Sequence, residues 1–200
     1  MKNYCYLVLF AVLVVACGQS QKQKAEALIK ETLERSLIKP DTYTPIETKV
    51  EEAFAPYDDP AFLKELTEMI NMTVEYADLM EKAKHAKLLM SKRSAPYRSS
   101  DGKDEYQEAI KVYDEANAKI EEIKIKTRKQ DEKIANMLLE DRKFLGYKAI
   151  HTYRAVNNAG NTFNGNTVFF IDKNFEKVVY SMDVEDYNQV QGAVKIFKEG

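Results

Sequence analysis

Residues 103–142 read KDEYQEAIKVYDEANAKIEEIKIKTRKQDEKIANMLLEDR, and the spacing of apolar positions in this stretch decides the fold. Tyr106, Ala109, Tyr113, Ala116, Ile120 and Ile123 recur at alternating intervals of three and four, and the series continues through Thr127, Gln130, Ile134 and Met137. That is the period of a helix with one stripe laid against another helix. Neither glycine nor proline interrupts it, so one helix is predicted from Lys103 to about Arg142, spanning about 60 Å at 1.5 Å per residue.

Residues 60–92 (PAFLKELTEMINMTVEYADLMEKAKHAKLLMSK) carry a matching stripe through Phe62, Leu66, Met69, Thr73, Tyr76, Met80 and Ala83. Asp59 suits an N-cap and Pro60 a first helical position. Between the stripes, Ser94 to Gly102 (SAPYRSSDG) is turn chemistry. Two long helices joined by a short turn must run antiparallel. Residues 60–143 are therefore expected to form an inserted helical hairpin, a two-stranded coiled coil.

On either side the period changes. Gln19 to Ile38 places Ala25, Leu28, Ile29, Leu33 and Leu37 on one helical face, ended by Lys39-Pro40. Thr42 to Phe54 alternates Ile46, Thr48 and Val50 with Glu47, Lys49 and Glu51, the period of a half-buried strand, and Pro45 puts it at an edge or a strand start. After Gly146, YKAIHTYRAV (147–156), TVFFID (167–172) and KVVYSM (177–182) read as three more strands. The Asn-rich 157–166 between the first two reads as a loop. Val184 to Lys198 looks helical, with Tyr187, Val190, Val194 and Phe197 on one face. The fold class expected is α+β: an N-terminal helix and a small four-stranded antiparallel sheet, covered on one face, from residues 17–59 and 144–200, with the hairpin inserted and a C-terminal helix.

Composition narrows the function. Of 200 residues, 44% are hydrophobic and 31% charged, enough to build a core and too apolar for a disordered chain. Thirty basic residues against 32 acidic give a net charge of -2, which argues against a nucleic-acid binder working by phosphate neutralisation. Two cysteines make no disulfide scaffold, and two histidines supply little for a metal centre. No G-x-S-x-G, H-E-x-x-H or phosphate-loop signature occurs. The expectation is a non-enzymatic protein with no cofactor and no metal.

The first residues suggest a location. Met1-Lys2-Asn3 precedes the apolar run Tyr4–Ala16, too short for the roughly 20 residues a spanning helix needs and suited to a cleaved signal peptide over residues 1–16. Val14-Val15-Ala16-Cys17 resembles the bacterial lipobox, in which a small residue precedes a cysteine that receives diacylglycerol. Cys17 is therefore the expected lipidation site and the membrane the expected partner. Two or three acyl chains hold firmly where one is marginal. Gly18 follows the cysteine, and residues 18–24 (GQSQKQK) hold no acidic cluster, which by analogy points to the outer membrane, facing the periplasm.

Other candidates have plainer readings beside the functional one. Tyr97 and Arg98, in the turn of the hairpin, are residue types enriched in binding hot spots; they also suit a solvated turn. Arg154 and Asn157, with the neighbouring asparagines, would suit a polar recognition loop for a small ligand or glycan, although Asn is also common where a loop needs left-handed backbone. His85 sits among lysines and reads as solvated. His151, with Tyr147, Ala149 and Tyr153 on its face, reads as half-buried packing. Asp172-Lys173-Asn174-Phe175-Glu176 begins like a calcium loop, but Lys177 stands where glycine is required, so it reads as a hairpin turn.

Leu37-Ile38-Lys39-Pro40-Asp41-Thr42-Tyr43 and the strand Tyr147 to Asn157, followed by a Gly-containing loop and a strand ending Phe169-Phe170-Ile171-Asp172, resemble small lipoproteins of Bacteroidota. The resemblance covers the globular part and not the hairpin. It implies an envelope location and an α+β fold, and carries no activity, cofactor or catalytic residue with it.

Overall fold

A computed structural model describes residues 20–93 and 100–199. The expected lipidation site Cys17, and Tyr97 and Arg98, lie outside the described residues. The chain is α+β, with four α-helices and one four-stranded antiparallel sheet among the described residues. By internal contact it divides into two units, one of residues up to Phe54 with Lys143–Asn188, the other of Ala55–Arg142 with Gln189 onward.

In the first unit, α1 (Gln21–Ser36) opens on a capping box: the Gln23 N–H donates to the Ser20 hydroxyl at 3.2 Å, and the Ser20 N–H donates to the Gln23 side chain at 2.9 Å. The helix stops at Ser36, ahead of the proline expected to end it, and Pro40–Thr42 form a 3-10 turn. The sheet runs in the order β1 (Thr44–Phe54), β2 (Phe144–Val156), β3 (Thr162–Asp172), β4 (Val178–Asp183), which leaves β1 an edge, as Pro45 predicts. Ala25, Ile29 and Leu33 of α1 are buried against Ala149, Tyr153, Ala155, Phe169 and Ile171. Each large aliphatic side chain so buried stabilises by about 1.5–3 kcal/mol.

Three expectations need correcting. Both faces of the sheet are packed, because β3 is apolar on both sides: Phe169 and Ile171 lie under α1 while Val168 and Phe170 are buried on the opposite face. There the Phe170 ring lies 6.1 Å from that of Tyr187, in the first turns of α4 (Val184–Glu199). Half of the Asn-rich segment is strand, since β3 starts at Thr162 and only Asn157–Asn161 turns. Finally, β2 begins ahead of Gly146. At φ +142° a Cβ there would lie 2.2 Å from the Ile171 carbonyl oxygen, so only glycine fits this close approach of strands.

The β3–β4 connection is a hairpin turn, with Phe175 at φ 58°. The Asp172 carboxylate accepts from the N–H groups of Glu176 at 2.7 Å and Lys177 at 2.9 Å. Burial pushes its pKa up, but these backbone donors outweigh that and hold it below the usual range.

The second unit holds α2 (Pro60–Arg93) and α3 (Ser100–Leu138), packed antiparallel. Asp59 caps α2, its carboxylate accepting the Ala61 N–H at 2.7 Å. The inner stripe of α3 is the one its sequence predicts, with Ala109, Ala116, Ile120, Ile123 and Ile134 buried. On α2 the stripe lies one residue earlier than predicted in two turns. Leu79 is buried where Met80 is 47% exposed, and Met72 packs inward where Thr73 is exposed. α3 starts at Ser100, inside the expected turn, and stops at Leu138, where i→i+3 bonds from Leu139 and Glu140 tighten the last turn.

A polar clamp fixes the register of the two helices. Gln130 Nε2 donates to the Glu65 carbonyl oxygen at 2.8 Å and to its carboxylate at 2.6 Å, and Lys133 pairs with the same carboxylate. The Lys133 hydrogen bond is the main cause of the lowered Glu65 pKa. The second part of α4 belongs to this unit, with Val190 and Val194 buried and Gln191 Nε2 3.4 Å from the Tyr57 carbonyl oxygen. Among the described residues no helix is long and apolar enough to cross a membrane.

Candidate functional site

The most organised polar cluster centres on His151. Strand alternation puts it on the α1 face of β2, one residue from each of two cross-strand neighbourhoods: it pairs with Thr48 on β1 and Thr167 on β3. The side chain is fully buried, more than the half-burial its sequence suggests. The Thr48 hydroxyl lies 2.9 Å from Nδ1 and the Tyr43 hydroxyl 2.9 Å from Nε2. The Tyr153 ring lies alongside at 5.7 Å and 14°, and Phe169 presents an edge at 6.3 Å.

A neutral imidazole donates from one nitrogen and accepts at the other, and a hydroxyl does either, so both nitrogens are satisfied in either tautomer. Burial lowers the His151 pKa; Glu26 and the Glu47 backbone favour the charged form but do not offset it. The ring is neutral at physiological pH. Burial, with Glu26 next, pushes the Tyr43 phenol up to about 12, which keeps it protonated. With both nitrogens engaged by hydroxyls, the triad ties Tyr43, β1 and β2 together.

Above Tyr43 and Thr48 runs a groove of about 370 Å³ between α1 and the outer side of β1. Lys22, Glu26 and Lys30 rim it from the helix and Ile46 from the strand, 54% exposed. The rim charges engage one another loosely, with Lys22 to Glu26 and Lys30 to Glu34 each at 3.8 Å. A second groove, of about 720 Å³, lies on the hairpin, lined by Met80, Ala83, Lys84, Lys87, Leu88 and Tyr113 among others, with His85 exposed at its side.

Neither of these two grooves is lined by Arg154 or Asn157. Arg154 is exposed, facing Thr44 and Asn164 across the ladder. Its face also carries Thr152, which donates to the Asn166 side chain at 3.2 Å. Asn157 serves the turn: its side-chain oxygen accepts the Asn161 N–H at 2.9 Å, and its backbone closes the turn with Gly160 and Asn161. Among the described residues no three of His, Cys, Asp and Glu come together as metal ligands.

Sequence reasoning missed the His151 cluster because its partners are 103 and 108 residues away in the chain. A usable signal was present: a histidine inside an otherwise apolar alternation, on the face that α1 had to cover. Comparison with protein-family models, with curated proteins and with solved structures returns no match. A functional reading of this chain therefore rests on its own residues.

Proposed function

We propose that the chain is a lipid-anchored, non-enzymatic interaction module of the bacterial cell envelope, tethered through Cys17 and using its helical hairpin as a spacer or docking arm. The observation that carries the reading is the hairpin, with helices of 34 and 39 residues. At 1.5 Å per residue these reach about 50 Å and 60 Å, and no described catalytic constellation accompanies them. Val14-Val15-Ala16-Cys17 after a short apolar run supports the anchor. The engaged nitrogens of His151 support a structural rather than a catalytic core. Gly18 and the residues after it (18–24, GQSQKQK) support an outer-membrane position facing the periplasm.

Crosslinking mass spectrometry in intact cells tests it. The reading predicts intermolecular crosslinks from Lys82, Lys84 and Lys87 of the hairpin to envelope proteins. Crosslinks confined to residues 20–54 and 143–188 would contradict an arm.

A second reading, binding of a small ligand, is favoured by the α1–β1 groove and not by Arg154 and Asn157. Its floor hydroxyls and flanking lysines suit a small polar molecule. Chemical-shift changes on Tyr43 and Thr48 during titration with a panel of sugars would support it; a silent groove would remove it.

A further inference from the structure

The outward face of α2 carries a second stripe, left open within the hairpin. Ile70, Val74, Ala77, Glu81, Lys84 and Leu88 repeat at alternating intervals of four and three, the same heptad period that builds the inner seam. Val74 is 57% and Leu88 49% exposed, and Ala77, Glu81 and Lys84 are exposed with them. Charge is sorted along the helix as well. From Glu65 to Glu81 every ionised side chain is a carboxylate, and from Lys82 to Arg93 there is no acidic residue at all. A helix acidic in its first part and basic in its second complements itself when turned end for end.

We propose that this face takes a second copy of the chain, α2 against α2 and antiparallel, with the two-fold axis midway between Glu81 and Lys84, beside the change of sign. Heptad layering at that axis sets Glu81 opposite Lys84 of the second copy, and Lys84 opposite its Glu81. Ala77 and Leu88 form the adjoining layers. A parallel pairing would set Glu81 on Glu81 and Lys84 on Lys84, which the charges oppose. Burial of Leu88 and Ala77 supplies the attraction, and the charged layers fix direction and register. The association is isologous and therefore closes as a dimer.

This deepens the reading of the hairpin as an interaction arm by naming one partner, and it does not depend on Cys17. Sedimentation equilibrium of the full chain, in density-matched mild detergent across a dilution series, tests it. The expected result is a monomer–dimer equilibrium weakened by salt. Leu88→Asp raises the dissociation constant at least about tenfold. Glu81→Lys and Lys84→Glu each weaken the dimer, and the two together restore it. Far-UV circular dichroism stays unchanged in all of them, because these positions are outside the inner seam. A monomer at every concentration, a dimer indifferent to Leu88→Asp, or a double reversal that fails to restore association would overturn the proposal and leave the lipid anchor untouched.

Discussion

Gly165 lies opposite Tyr153 in the β2–β3 ladder, and a Cβ placed on it would sit 2.2 Å from Tyr153 Cζ. The ring occupies the space that a side chain on β3 would take, an arrangement in which an aromatic covers a strand glycine. From there it reaches His151 on one side and Phe163, at 6.3 Å, on the other. Gly165→Ala must move the ring off His151, and overpacking of this kind costs about 1–3 kcal/mol. Urea denaturation of the purified chain measures it. A variant as stable as the parent would show that the ring has somewhere else to go.

His151 makes stability depend on pH in a defined direction. Its folded pKa lies below the 6.5 of an exposed imidazole. As pH falls below 6.5 the unfolded chain binds a proton before the folded chain does, so stability declines until the folded pKa is passed. His151→Gln, which keeps a donor and an acceptor, should lose less stability than the parent between pH 7.5 and pH 5. Denaturation midpoints at both pH values decide it, and equal acid losses in the two proteins would refute the role.

Tyr43 titrates at the other end. Its folded pKa of about 12 exceeds the usual 10.0, so its contribution is complete below pH 10 and declines as pH rises through 12. Tyr43→Phe removes the hydroxyl at His151 Nε2 and should cost about 1–2 kcal/mol at neutral pH. It should also delete one late phenol from the ultraviolet absorbance titration. A titration curve that keeps its high-pH limb in the variant would place the perturbed phenol elsewhere.

Neighbouring residues on α2 separate the inner seam from the surface. Leu79 is 7% exposed and Met80 47%. Leu79→Ala should destabilise by about 2–4 kcal/mol, while Met80→Ala should change stability by no more than about 0.5 kcal/mol. Thermal melts followed at 222 nm compare them directly, and the reverse order would return the seam to the register that spacing alone suggests.

That register shows where the sequence was legible and where it was not. On α3 the apolar positions are isolated by charges on both sides, as Ile120 and Ile123 are, and the period could be read without ambiguity. On α2, Leu79-Met80 and Met72-Thr73 offer two adjacent choices, and only the packed partner decides between them. The sheet was legible from alternation, but β3 was cut short because Asn164, Gly165 and Asn166 have poor strand propensity. Cross-strand pairing with Arg154, Tyr153 and Thr152 overrides that preference. Gly165 acquires meaning only once Tyr153 is known to lie opposite. Likewise the Tyr43–His151–Thr48 cluster joins three segments that the chain keeps apart, so the local pattern marked the histidine but not its two partners.

Acylation of Cys17 is the premise of the envelope reading. Intact-mass and peptide mass spectrometry of the protein isolated from cell envelopes reads it directly. The expected result is a mature chain that begins at Cys17 and carries thioether-linked diacylglycerol on its sulfur, and a Cys17→Ser chain released from the membrane fraction. A mature protein with Cys17 unmodified, or one that retains residues 1–16, would contradict it.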